Sequence, residues 1–274
     1  MITIRRFVLA ALAAAIASGG CRPAPTPAPA PVRANILLVT LDTFRADRVG
    51  RGFTPALDRL AAQGLRFTEA RSVVPLTLPA HASIMTGQWP PAHGLRLNGS
   101  PRLDSAATLA TQLKQAGYQT RAVVGAFVLD RRFGLDAGFD QYDDRIARDP
   151  RATDVLQAER PASAVADTAI SQLDRISVDA PWLLWVHFYD AHAPYAPPAD
   201  ARQRAGGDAY NGEIAYVDAQ VGRLLAAIDR RADRARCGRR TRRSRRRGRI
   251  ADPARRRRPP RGSDSRPASS AWPG

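Results

Sequence analysis

Residues 34–229 combine two hydrophobic patterns that predict different elements. Continuous apolar runs are typical of strands buried on both faces of a sheet, and the predicted strands are NILLVTLD (35–42), YQTRAVVGAFV (118–128) and PWLLWVHFYD (181–190). Apolar residues three and four apart predict helices, and the helical segments are 54–64, 105–117, 161–176 and 214–228. Thr54 is the expected N-cap of the first helix. The alternation predicts an α/β domain with a largely parallel central sheet flanked by helices.

Two predicted strand ends carry residues capable of chemistry. The first strand ends at Asp42, whose carboxylate could bind a divalent cation, although an N-cap for the next segment is the alternative interpretation. The predicted strand 181–190 contains His187 and ends at Asp190, and His192 follows two residues later. His187 taken alone is more typical of a satisfied core histidine than of a ligand. Because sites in parallel sheets lie beyond the carboxyl ends of strands, these side chains are candidates for one site.

The stretch VPLTLPAHASIMTG (74–87) places a threonine beside an expected helix start. A helix from about Pro79 would put Thr77 at or just before its N-terminus. Backbone N–H groups and the helix dipole favour negative charge there, both on an alkoxide and on an anionic substrate. A metal held by Asp42 would further activate the hydroxyl, and His81 could contact an anionic oxygen. The alternative is that Thr77 is only the N-cap.

The N-terminal residues 1–21 resemble an export signal. Two arginines precede an apolar run at 7–17, which is too short to span a bilayer, and small residues lead to Cys21. We therefore expect an exported protein of the periplasm or cell envelope, anchored to the membrane by lipidation of Cys21. Ordinary cleavage without a lipid is the alternative. Residues 22–33 are rich in proline and alanine and predict a stiff spacer.

The net charge of +17 is concentrated in residues 230–274. Between Arg230 and Arg266 there are 18 arginines and three aspartates, so residues 1–229 are nearly neutral. The segment lacks apolar periodicity and is predicted to be disordered. Its composition is that of GC-rich DNA read out of frame, which suggests a frameshift soon after residue 229. The alternative is a non-enzymatic exported protein whose basic tail binds anionic lipid, envelope polymer or nucleic acid without specificity; no specific nucleic-acid partner is expected.

A series of motifs across residues 34–229 resembles the sulfatase branch of the alkaline-phosphatase superfamily. The motifs that carry the resemblance include NILLVTLDTFRADRVG (35–50), PLTLPAHASIMTGQWPPAHGLRLNG (75–99), WVHFYDAHAPYAPP (185–198) and YNGEIAYVDAQVGRLL (210–225). The resemblance implies an alkaline-phosphatase-like sheet and a hydrolase of sulfate or phosphate esters. It also implies a small anionic ester as substrate and a divalent metal, which could be Ca²⁺, Mg²⁺, Mn²⁺ or Zn²⁺.

The resemblance assigns roles to individual residues. Asp42 corresponds to the first metal-binding aspartate, and Thr77 to the nucleophile, which is also a metal ligand. His81 stands where sulfatases have an arginine, and His192 matches a histidine that contacts the oxyanion or leaving group. Both are therefore candidate catalytic and substrate-binding residues, and Asp190 is a further substrate-binding candidate.

Two departures from the family pattern affect the expected activity. Threonine cannot be oxidised to formylglycine, so Thr77 resembles the metal-bound threonine of phosphodiesterases in the superfamily. Relatives also carry a second aspartate where this chain has Thr43, and a later Asp-His pair that this sequence lacks. The resemblance therefore implies a fold that is incomplete on its C-terminal side. We predict that the chain as written is inactive and poorly stable.

Overall fold

The structure, a computed structural model, describes residues 33–104, 107–147, 156 and 158–250, with side chains as far as Ala232. All elements described below belong to the unit Asn35–Gly274. The predicted export signal, Cys21 within it and most of the spacer lie outside the described residues. Within the described ranges, no helix combines the length and the apolar character needed to cross a membrane.

The described residues form a four-stranded sheet in which each strand is parallel to its neighbours. The strands are β1 (Ile36–Leu41), β2 (Gln119–Val124), β3 (Gln141–Asp143) and β4 (Trp182–Phe188), and their spatial order is β1-β4-β2-β3. All seven residues of β4 are buried, because β4 lies inside the sheet and an apolar cluster packs on each of its faces. The predicted α/β fold with a parallel central sheet is confirmed.

β1 lies at the edge of this sheet. All six of its residues are only half-buried, so the prediction of a strand buried on both faces is wrong for β1, although it is right for β4. The apolar sequence of β1 is typical of a central strand, but within the described ranges only β4 pairs with it. Its apolar side chains therefore remain partly open to solvent.

Helices cover both faces of the sheet. They are α1 (Pro55–Gln63), α2 (Thr77–Thr86), α3 (Pro90–His93), α4 (Leu109–Gln115), α5 (Ala162–Asp174), α6 (Ala199–Arg204) and α7 (Ala209–Ile250), with 3₁₀ turns at Ala46–Arg48, Phe127–Leu129 and Arg131–Phe133. One apolar cluster joins α2 to the sheet through residues such as Leu78 and Trp185. A second cluster joins α5 and α7 to the opposite face through residues such as Val165 and Val221.

The start of α1 is capped by a different residue from the one predicted. Thr54 occupies the N-cap position, but its side chain makes no capping hydrogen bond. The carboxylate of Asp218, on α7, instead accepts the N–H groups of Ala56 and Leu57, each at 2.9 Å. A negative charge at a helix N-terminus is favourable, so α7 supplies the cap that the local sequence does not.

The backbone of α7 continues to Ile250, and arginine and alanine, which are frequent in this segment, have high helix propensity. The disorder predicted from residue 230 onward stays a prediction. Residues 251–274 lie outside the described residues. The apolar face predicted for 214–228 does pack on the core, as Ile214 and Leu224 are fully buried.

Candidate active site

The backbone places Asp42 immediately after the edge strand β1. Its N–H donates to the carbonyl oxygen of Phe188 at 3.0 Å, which extends the pairing between β1 and β4 by one residue. Its Oδ1 accepts the N–H of Thr43 at 2.9 Å. The loop that follows is held by Tyr210 of α7, whose hydroxyl donates to the carbonyl oxygen of Thr43 at 2.8 Å. The backbone next to this carboxylate is therefore held by both the neighbouring strand and a distant helix.

Thr77 is the first residue of α2 and points to this carboxylate. Its Oγ1 donates a hydrogen bond to Oδ2 of Asp42 at 2.7 Å. The N-cap position belongs to Leu76, so Thr77 is not the N-cap, and its hydroxyl is engaged with the neighbouring strand end. The two side chains that the sequence assigned to a nucleophile and a metal ligand are in direct contact.

The charge on Asp42 is stabilised at this position. Burial by itself raises the pKa of its carboxyl group, but contacts with His187 and Thr77 outweigh burial and lower the pKa to about 2. The carboxylate is consequently ionised throughout the physiological pH range. An ionised carboxylate is a strong hydrogen-bond acceptor for the Thr77 hydroxyl.

His81 lies one helical turn after Thr77 and is buried. Its Nδ1 is 2.7 Å from the carbonyl oxygen of Thr77, so Nδ1 must carry the proton and donate it. Burial, reinforced by His187, lowers the pKa of His81 to about 4. The ring is therefore neutral at pH 7, and its bare, buried Nε2 has no hydrogen-bond partner in the part of the chain that the structure describes. His81 also lines a cavity at this site, and its predicted contact with an anionic oxygen stays a prediction.

A cavity of about 510 Å³ opens over the Asp42–Thr77 pair. His192 lines it, with its ring stacked on Tyr189 at 4.4 Å between centroids. Asp190 is not among the lining residues, because its Oδ1 accepts the N–H of Ala162 at the start of α5 at 2.7 Å. The structure thus brings His192 to the cavity and gives Asp190 a contact with a helix end.

Two further polar residues lie at the site, and one of them, Asn98, was not predicted as a site residue from the sequence. Asn98 lines the cavity, and its Oδ1 accepts the N–H of Leu78 in the first turn of α2 at 3.0 Å. His187, which taken alone is more typical of a core histidine but was a site candidate together with Asp190 and His192, has its Nε2 3.6 Å from Oδ2 of Asp42. Asn98 precedes Gly99 and is locally indistinguishable from a turn asparagine. Only its place in the 75–99 motif could have singled it out.

The sulfatase family model matches residues 34–236 of this sequence. The chain belongs to the sulfatase family. The match covers all the described elements from β1 to the middle of α7, and it confirms the family resemblance inferred from the motifs.

Two curated relatives illustrate the range of the family. The chain is 26% identical over 153 residues to an N-acetylglucosamine-6-O-sulfatase of Bacteroides thetaiotaomicron, covering 53% of this chain and 27% of the relative. It is 37% identical over 67 residues to an uncharacterised pyrophosphatase/phosphodiesterase of Schizosaccharomyces pombe, covering 24% of this chain and 14% of the relative. The matched segments thus span about a quarter or less of these two relatives.

The fold also matches solved structures. The phosphonate monoester hydrolase of Agrobacterium radiobacter superposes with a TM-score of 0.58 at 19% identity, covering 72% of this chain and 60% of that chain. A protein of the alkaline phosphatase superfamily from Vibrio parahaemolyticus superposes with a TM-score of 0.56 at 21% identity, covering 72% and 51% respectively. At these identities the likeness shows that this chain shares the fold of these two proteins.

The sulfatase family generally uses a divalent metal. Here the oxygens of Asp42 and Thr77 would face such an ion from one side, and the unpartnered Nε2 of His187 is close to them. In the ranges described, however, no group of three or more His, Cys, Asp or Glu side chains is arranged to hold a metal. The described residues therefore fit a cation only in part and do not complete a site for it.

Proposed function

We propose that this protein is a hydrolase of sulfate or phosphate esters in which Thr77 is the nucleophile. The observation that carries the proposal is the 2.7 Å hydrogen bond from the Thr77 hydroxyl to Asp42, at a helix N-terminus and beneath an open cavity. A lone capping threonine would instead direct its hydroxyl to its own helix. Family membership supports ester hydrolysis as the reaction class.

The cavity residues suggest how an ester would be held and attacked. The ester anion would lie at the N-terminus of α2, where the helix dipole favours negative charge. The side-chain oxygen Oδ1 of Asn98 already accepts the N–H of Leu78. The side-chain NH₂ group of Asn98 would therefore be the part that donates to the anion. The Thr77 oxygen would pass its proton to Asp42 and form a bond to sulfur or phosphorus as the bond to the leaving alcohol breaks. The imidazolium of His192 would supply the proton to that alcohol from Nε2, because its Nδ1–H donates to the carbonyl oxygen of Ala193. Water would then hydrolyse the ester on Thr77.

The threonine favours phosphoryl chemistry within this class. Formylglycine cannot form at Thr77, so the enzyme would transfer the phosphoryl or sulfuryl group directly to the side chain. A relative described as a pyrophosphatase/phosphodiesterase supports phosphoryl transfer, whereas another described as a sulfatase keeps sulfate esters open.

We also propose that the chain as given turns over slowly. With its pKa lowered to about 2, Asp42 orients the Thr77 hydroxyl but is a weak base for its proton. Efficient deprotonation needs a stronger acceptor or a cation, and the described residues supply only part of a cation site. We therefore expect weak metal binding and low kcat.

The nucleophile is tested with Thr77→Val, which removes the hydroxyl and keeps the shape, against Thr77→Ser, which keeps the hydroxyl. The purified chain is assayed with p-nitrophenyl sulfate, p-nitrophenyl phosphate and the phosphodiester bis-p-nitrophenyl phosphate, with each candidate metal. A single-turnover reaction is also analysed by mass spectrometry. We expect Thr77→Val to lose at least about 1000-fold in rate and the wild type to carry the transferred group on Thr77. Unchanged hydrolysis by Thr77→Val, or a covalent group on another residue, would refute the assignment.

We further propose that the protein is exported and held at the membrane through Cys21. The proposal is supported by the arginines, the short apolar run and the small residues that precede this cysteine in residues 1–21. Cell fractionation tests it: the wild type should sediment with the envelope membranes, and Cys21→Ser should move to the soluble periplasmic fraction. Equal distribution of the two proteins would exclude the lipid anchor.

A further inference from the structure

His187 is a buried polar residue that has no role in the reaction proposed above. It lies in the central strand β4, opposite Thr40 of β1 and Val124 of β2, and its side chain is fully shielded from solvent. Neither ring nitrogen has a hydrogen-bond partner among the described residues. Buried polar atoms are normally bonded, and leaving them unpaired lowers stability. An apolar side chain would avoid that loss, so a structural role alone does not explain a histidine at this position.

The imidazole of His187 faces the carboxylate of Asp42. Nε2 of His187 is 3.6 Å from Oδ2 of Asp42, and this same oxygen accepts the hydroxyl of Thr77 at 2.7 Å. The other carboxylate oxygen is occupied by the N–H of Thr43. One oxygen of Asp42 thus lies between the proposed nucleophile and the buried imidazole. A separation of 3.6 Å is too long for a hydrogen bond, but a contraction of about half an ångström would make one.

Ring packing restricts the orientation of His187. The ring of His81 stands edge-on to it with 4.8 Å between centroids, and the ring of Tyr189 lies at 6.1 Å. Because backbone pairing holds the strand on both sides, the imidazole has little freedom to turn away from Asp42.

We propose that His187 is a positioning residue, whose Nε2–H holds Asp42 in the orientation that receives the Thr77 hydroxyl. The proposal rests on the proposed function, because it assumes that Thr77 is the nucleophile. His187 does not line the cavity, so it touches no substrate and acts only through Asp42. Hydrogen bonds of this kind are often long in an empty site and shorten when substrate binds.

The decisive variants are His187→Leu, which removes the donor, and His187→Gln, whose side-chain amide can donate from about the position of Nε2. We expect His187→Leu to lower kcat about 10- to 100-fold, with KM within about twofold of the wild type because the cavity is unchanged. Its melting temperature should change little, because the loss of the interaction with Asp42 is offset by the removal of a buried imidazole whose hydrogen bonding is incomplete. His187→Gln should recover most of the lost kcat.

Val186→Ala is the matched control, because Val186 is the preceding residue of β4, is equally buried and packs in the cluster on the opposite face. This variant should lower the melting temperature and leave kcat close to that of the wild type. A purely structural role for His187 predicts the reverse of the expected result, with stability lost in His187→Leu and kcat retained. Wild-type kcat in a folded His187→Leu protein would overturn the proposal.

A thermodynamic cycle tests the contact without requiring turnover. Urea unfolding is measured for His187→Leu, Asp42→Asn and the double variant. If His187 donates to Asp42, the effects should be non-additive by about tenfold in the unfolding equilibrium constant. Additivity would overturn the proposal even if the chain has no measurable activity. Failure of the proposed function is distinguishable, because it would appear as unchanged hydrolysis in Thr77→Val regardless of the cycle.

Discussion

Replacement of Asp218 by alanine should destabilise the protein strongly, because this carboxylate connects α7 to the start of α1. Its two oxygens each accept one backbone N–H, from Ala56 and from Leu57, at 2.9 Å. The side chain is almost completely buried, with 1% of its residue surface exposed. Water therefore cannot easily replace the carboxylate, and both N–H groups would lose their partner.

The size of the effect follows from these two contacts. A hydrogen bond to a charged group contributes about 1.5–3 kcal/mol, so Asp218→Ala should lower the free energy of unfolding by about 3–5 kcal/mol. That is a large part of the total of about 5–15 kcal/mol expected for a domain. Asp218→Asn keeps one oxygen acceptor and replaces the other with an amide donor. It should lose at least half of the same free energy.

Urea unfolding followed by circular dichroism and tryptophan fluorescence measures the change. Burial raises the pKa of Asp218, so pH 8 is chosen to keep the carboxylate ionised. The matched control is Asp167→Ala, which breaks a 2.6 Å ion pair with Arg223 on an aspartate whose side chain is 62% exposed. It should cost less than about 1 kcal/mol. Equal effects of the two alanine variants would refute the capping argument.

Two other variants probe burial and backbone fit. Burial, with the nearby charges of Asp190 and Glu159, raises the pKa of Glu213 from 4.5 to about 7. Because Glu213 therefore ionises at a lower pH in the unfolded chain than in the folded protein, the free energy of unfolding should fall by about 1–2 kcal/mol between pH 4.5 and about pH 7. Glu213→Gln should abolish that fall in pH-dependent urea unfolding, and a parallel pH profile would contradict the interpretation. A Cβ on Gly138 (φ +90°) would lie 2.3 Å from the backbone nitrogen of Thr111, whereas one on Gly206 (φ +69°) would meet nothing within 4 Å. Gly138→Ala should therefore lower the free energy of unfolding by at least about 3 kcal/mol and Gly206→Ala by about 1 kcal/mol, and equal losses would argue against the clash.

The elements that the sequence predicts best are those whose signals are local. The boundaries of α1 were correct because a proline starts the helix and Gly64 follows it. β4 was correct because its apolar run is long and continuous. The edge position of β1 was missed, since strand order depends on pairing between segments far apart in sequence. β3 was not identified as a strand, because three residues are too short for any periodicity.

The residues of the candidate site also differ in whether a local sequence signal identifies them. Asp42 and Thr77 were predicted as partners, from a strand end, a helix start and a family resemblance, and their direct contact agrees with that prediction. Asp218 and His187 lie close to residues more than 140 positions away in sequence, so no spacing rule could reveal these neighbours. Asp190 was a substrate-binding candidate, a role that stays a prediction, and its Oδ1 accepts the N–H of Ala162 at the start of α5. The sequence of a short segment such as 187–192 shows which side chains could take part in chemistry, but it does not show which neighbours those side chains face.

The register between β1 and β4 explains why the hydrophobic core determines the geometry of the site. Thr40 is the only polar residue of β1, and its hydroxyl accepts the indole N–H of Trp185 at 3.0 Å. In this register Leu41 pairs with Phe188, and Asp42 follows at the strand end, beside Thr77. A slip of one residue would turn Thr40 toward the opposite apolar face and lose this hydrogen bond. It would also move Asp42 by about 3.3 Å along the strand, which exceeds the length of its hydrogen bond to Thr77. The packing that fixes the register therefore also keeps the proposed nucleophile in contact with its carboxylate.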